Sequence, residues 1–119
     1  MTQTVIQYVL SRLKELGVTD MFGCPGDFVY PVCDAIIDDP DIRWIGCANE
    51  PNASYAADGY ARTKGVGVVV STYGAGELWT FGGLARGGWP RHLFSKYRVK
   101  NHYSYSGDLV KVVVRLTDT

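Results

Sequence analysis

Three short apolar runs limit what this chain can fold into: "DMFG" at 20–23, "IRWIGCA" at 42–48 and "VGVVVST" at 66–72. Each is separated from the next by a stretch with the marks of a helix. Strands alternating with helices at this spacing argue for βαβ units and a doubly wound parallel sheet with both faces covered, an α/β fold. Residues 4–16 read as an amphipathic helix, because Val5, Ile6, Val9, Leu10, Leu13 and Leu16 recur at three- and four-residue spacing. Thr4 and Gln7 can form a capping box, and Gly17 is placed to stop the helix. A second helix is predicted over about 30–38, with Pro31 tolerated in its first turn. "PNASYAADGYARTK" is helical, and the glycine turn "YGAGE" leads into another helix from Glu77.

At 119 residues the chain has room for one domain with a modest core. Its 46% hydrophobic and 20% charged residues are ordinary for a soluble globular protein. No apolar run approaches the roughly 20 residues that span a bilayer, and the N-terminus lacks a signal-peptide layout, so a cytoplasmic location is expected. Cys24, Cys33 and Cys47 are odd in number, widely spaced and without accompanying histidines. They read as buried small hydrophobes in a reducing compartment, with a redox or metal role as the lesser alternative. The net charge of zero hides an asymmetry. Residues 1–85 carry five Lys/Arg against ten Asp/Glu, and residues 86–119 carry seven against two. The chain therefore divides into a domain over 1–85 and a divergent basic tail over 86–119, whose "LVKVVVRL" at 109–116 reads as a strand.

In open sheets of this kind ligands sit beyond the carboxyl ends of the strands. Residues 24–28, 49–50 and 73–77 fall at such ends. Glu50 stands before Pro51, at or near a helix N-cap. It is either a carboxylate stabilised by the helix dipole or one shielded from water and able to exchange a proton with a ligand. Asp27, in "PGDF", taken by itself fits a turn aspartate after Pro-Gly. "STYGAGEL" sets Thr72, Gly74 and Gly76 on a strand-turn-helix corner where a ligand can approach backbone N–H groups. It is not a dinucleotide fingerprint, because Trp79 occupies the third glycine position.

"GCPGDF", "GCANEPNASYAADGYAR" and "STYGAGEL", in that order and at these separations, resemble the N-terminal, pyrimidine-binding domain of thiamine-diphosphate-dependent 2-keto acid decarboxylases. The pyruvate/indolepyruvate decarboxylase branch is the most similar, and the resemblance covers about residues 3–85. It implies that Glu50 hydrogen-bonds N1′ of the cofactor's aminopyrimidine, promoting the imino tautomer that takes the proton from thiazolium C2. It also implies that Asp27 handles protons on the substrate, and that Thr72, Gly74 and Gly76 wall the pyrimidine pocket. Only the pyrimidine end of thiamine diphosphate would be held here. The Mg²⁺ and diphosphate site would lie in a second domain, with the active site formed between subunits, so a homo-oligomer or pairing with such a domain is expected.

The sequence departs from that pattern in three places. Trp79 stands where a small residue is usual and is expected to overpack the pocket wall, at about 1–3 kcal/mol. Pro51 replaces a leucine. From about Arg86 the resemblance stops, and isolated His92 and His102 do not match the family's histidine pair. The reading at this point is a truncated or frameshifted decarboxylase N-terminal part, inactive alone, whose remaining sheet has an exposed edge. A non-catalytic module pairing with full-length decarboxylase subunits is the alternative. A lesser one is nucleic-acid binding by the basic, aromatic-rich tail, the bland reading of which is an unselected or solvated extension.

Overall fold

The computed structural model describes residues 3–86, 92–98 and 109–116. Helix α1 (Val5–Glu15) opens with the capping box read from the sequence. The Gln7 N–H donates to Thr4 Oγ1 at 3.3 Å and the Thr4 N–H to Gln7 Oε1 at 2.9 Å. Strand β1 (Asp20–Gly23), helix α2 (Tyr30–Ile37), strand β2 (Arg43–Gly46), helix α3 (Glu50–Lys64), strand β3 (Val66–Ser71) and helix α4 (Ala75–Arg86) follow in the expected alternation. Strand β1 pairs in parallel with β2 on one side and with β3 on the other. The chain thus leaves β1 for one neighbour and returns to the opposite one, which makes β1/β3 the switch point of a doubly wound sheet.

Side-chain alternation distributes the core over the two faces. Met21, Val68 and Val70 meet Val9, Leu10, Leu13, Val32 and Ile36 on the α1–α2 face. Phe22 and Val69 meet Ala53 and Ala57 on the α3 face. The second layer is thin because its residues are small. A Cβ at Gly67 would lie 2.1 Å from the Ala57 carbonyl oxygen, so glycine is what lets α3 rest directly on β3.

Two further strands extend the sheet. Strand β4 (His92–Arg98) and strand β5 (Leu109–Leu116) pair antiparallel with each other, and β5 pairs antiparallel with β3. The order is β2-β1-β3-β5-β4. The all-parallel expectation therefore holds for β2-β1-β3 only, and the sheet is mixed. The outer side of β3 is covered by β5, and the edges of the sheet are β2 and β4. These two stretches are sheet strands. His102 lies outside the described residues. Among the described residues no helix is long and apolar enough to cross a membrane.

Candidate functional site

The carboxyl ends of β1, β2 and β3 deliver three loops to one end of the sheet. After β1, the Val29 N–H donates to the Gly26 carbonyl at 2.9 Å, folding residues 26–29 into a tight turn. After β2, Asn49 caps α3, its Oδ1 accepting from the Asn52 N–H at 2.9 Å. Glu50 is consequently the first residue of α3 and not its cap. After β3, Gly74 takes φ +76° and turns the chain into α4, which begins at Ala75, two residues before the expected start.

Contacts between these loops converge on Thr72. A Cβ at Gly26 would sit 2.6 Å from Thr72 Cβ and 2.8 Å from Thr72 Oγ1. A Cβ at Gly76 would sit 2.9 Å from Glu50 Oε1 and 3.0 Å from Thr72 Cγ2. Two bare glycines thus flank the threonine, and the second also faces the carboxylate. Thr72 Oγ1 is buried with no hydrogen-bond partner among the described residues. Glu50 is half-buried. It makes no hydrogen bond or ion pair with another described residue, although its charge acts on the Cys24 thiol. Buried polar groups in folded proteins are normally satisfied, so an orphaned hydroxyl beside an unengaged carboxylate marks a place for a polar ligand.

The structure therefore brings Glu50, Thr72 and Gly76 together. Gly74 shapes the turn, and nothing lies within 4 Å of a Cβ built there. Asp27 is exposed on the rim, one residue beyond Gly26, and makes no hydrogen bond or ion pair with another described residue. Beside it, Phe28 and Tyr73 meet edge to face with centroids 6.2 Å apart, joining the β1 and β3 loops. Trp79 corrects an expectation. Its side chain is 58% exposed on α4, so the indole points away from the core and overpacks nothing. The cysteines need a correction too: Cys33 is buried as read, but Cys24 and Cys47 are only half-buried. Burial raises both of these thiols, and Glu50 and Cys47 push Cys24 further. Gly26, Cys24 and Cys47 were not singled out as site residues. The signal was the Gly-Cys pair that ends both "FGC" and "IGC". No group of three or more potential metal ligands exists among the described residues.

The family model "Thiamine pyrophosphate enzyme, N-terminal TPP binding domain" matches residues 3–87. The chain belongs to this family. It is also similar to the Alpha-keto-acid decarboxylase of Mycobacterium leprae (strain TN), with 50% identity over 90 residues, 76% of this chain and 16% of the relative. The Alpha-keto-acid decarboxylase of Mycobacterium tuberculosis (strain ATCC 25618 / H37Rv) is 50% identical over the same shares. That of Mycobacterium avium (strain 104) is 53% identical over 75 residues, 63% of this chain and 13% of the relative. The chain thus spans about a sixth of the length of these relatives, 16% in the first. The thiamine-pyrophosphate-binding assignment agrees with the fold, and with a Thr72 hydroxyl and a Glu50 carboxylate that make no hydrogen bond among the described residues.

Proposed function

We propose that residues 3–87 are the pyrimidine-holding, cofactor-activating part of a thiamine-diphosphate-dependent 2-keto acid decarboxylase of the pyruvate/indolepyruvate type. The supporting observation is the half-buried Glu50 carboxylate, without a hydrogen bond among the described residues, 2.9 Å from the point where a side chain at Gly76 would begin. The residues fit an aminopyrimidine. The missing Cβ at Gly76 lets Glu50 and Thr72 close on the α4 backbone, where any larger residue would collide with both. Thr72 Oγ1 offers a hydroxyl that can donate to or accept from a ring substituent.

Bound thiamine diphosphate supplies the electron sink for the carbon left behind when carbon dioxide departs. The chain's own residues bind, orient and move protons. Glu50 holds a proton at N1′ of the ring, and a carboxyl screened from bulk water does this best when its proton affinity approaches that of its partner. Thr72 and Gly76 fix the ring plane. Asp27, on the rim, exchanges a proton with the substrate side. The diphosphate and Mg²⁺ are held by a separate domain, in an oligomer or a two-domain pairing, and the protein works in the cytoplasm on a 2-keto acid. A pocket for one ring is a small part of the cofactor's affinity, so the 119-residue chain alone is expected to bind weakly and not to decarboxylate.

A domain exchange tests this reading. Residues 3–87 replace the matching segment of the Mycobacterium tuberculosis decarboxylase, and carbon dioxide release from pyruvate and indolepyruvate is followed. Turnover by the chimera, lost on Glu50→Gln with the fold intact, is the expected result. A folded chimera indifferent to Glu50→Gln would end the proposal. The exposed Tyr55, Leu78, Trp79 and Phe81 on α3 and α4 favour a second reading, a non-catalytic module that docks on full-length decarboxylase subunits. Co-purification of the chain with such an enzyme, without any effect on its turnover, separates the two.

A further inference from the structure

We propose that Cys24 and Cys47 form a reversible disulfide at the mouth of the cleft, a redox modification site built into the ends of β1 and β2. The parallel ladder between these strands places the two residues in register. Asp20 aligns with Arg43, and the Arg43 N–H donates to the Thr19 carbonyl, one residue before its partner, at 2.8 Å. The Cys47 N–H donates to the Gly23 carbonyl at 2.8 Å in the same pattern. Register therefore continues one step past Gly23–Gly46 and pairs Cys24 with Cys47.

Parallel neighbours stand about 4.8 Å apart, within the roughly 4.4–6.8 Å between Cα atoms that a disulfide spans. Side chains of register partners point to the same face of a sheet. Cys47 packs with Phe22 against Ala53 and Ala57 on the α3 face, and Cys24 follows Phe22 by two residues, which returns it to that face. Both thiols are half-buried, so a small oxidant can reach them, whereas Cys33 is buried.

With hydrogen peroxide as oxidant, one sulfur attacks a peroxide oxygen, the O–O bond breaks, and a sulfenic acid and water result. The second thiol attacks the sulfenic sulfur, the S–S bond forms, and a second water leaves. Two electrons pass from the sulfurs to peroxide, and a dithiol reductant reverses the change. The bond ties the β1 loop, with Gly26 and Asp27, to the β2 loop just ahead of Asn49 and Glu50. It does so whatever ligand the cleft takes.

The test is peroxide titration of the purified 119-residue chain, read by intact mass and by peptide mapping without reductant. The expected product is monomeric, lighter by two hydrogen atoms, restored by dithiothreitol, retained in Cys33→Ser and lost in Cys24→Ser and Cys47→Ser. A Cys24–Cys33 link, an intermolecular link, or oxygen addition at single sulfurs in place of the cross-link would overturn the proposal.

Discussion

Glu50 and its contacts are open to direct test by substitution. In the chimeric enzyme, Glu50→Gln keeps the shape and removes the titratable oxygen, so kcat is expected to fall by about 10²–10⁴-fold with circular dichroism unchanged. Gly76→Val drives a branched side chain toward Glu50 Oε1 and Thr72 Cγ2, at 2.9 and 3.0 Å from its first atom. Cofactor affinity is expected to fall more than stability, read by KM for thiamine diphosphate against the melting temperature. Asp20 gives a pH signature in the chain itself. Burial alone would raise its carboxyl, but hydrogen bonds from Thr19 and Arg43 and the guanidinium charge outweigh burial and hold it below its ordinary value. A carboxyl lowered on folding contributes stability that is complete above its unfolded pKa of about 3.9 and drains away as pH falls through the folded value. Acid unfolding of Asp20→Asn followed by fluorescence is therefore expected to depend less steeply on pH below about 4 than that of the parent chain.

At the level of helices and strands, α3 matters most. Its Asn49 cap satisfies the Asn52 N–H, and Asn49→Ala is expected to cost about 0.5–2 kcal/mol in urea unfolding. How far such elements were legible in the sequence differs from one to the next. Strand β1 over Asp20–Gly23 and the Thr4–Gln7 capping box stood out because they rest on local rules: an apolar run closed by Pro-Gly, and two polar residues three apart. Strand β4 over His92–Arg98 did not, because "HLFSKYR" lacks regular alternation and its conformation comes from pairing with β5. The exposure of Trp79 was equally hidden, since motif position gives no rotation about the α4 axis. Glu50 and Gly76 were legible as types of residue at strand ends. Their meeting on Thr72, with Gly26 on its other side, is a tertiary contact that no local pattern encodes.

For the molecule as a whole, the mixed sheet makes a prediction of its own. β5 is an interior strand with β3 on one side and β4 on the other, and its residues 111–115 have a register partner on both sides. Val113→Pro removes one donor from the centre of that strand, opposite Val69 and Phe94. Proline is tolerated at edges and not in central strands, so this variant is expected to lose cooperative unfolding and to aggregate by light scattering.

The contact at Gly67 reaches further than the core. Helix α3 bears on β3 where the Ala57 carbonyl would come within 2.1 Å of an added Cβ, and Glu50 projects from the helix seven residues earlier, about 10 Å along its axis. That contact is a fulcrum and the helix is a rigid arm. A single methyl under the fulcrum would tilt the arm and lift its acidic tip out of reach of the opposing loop. The aim of the carboxylate is thus set at a point remote from it, by the absence of a side chain.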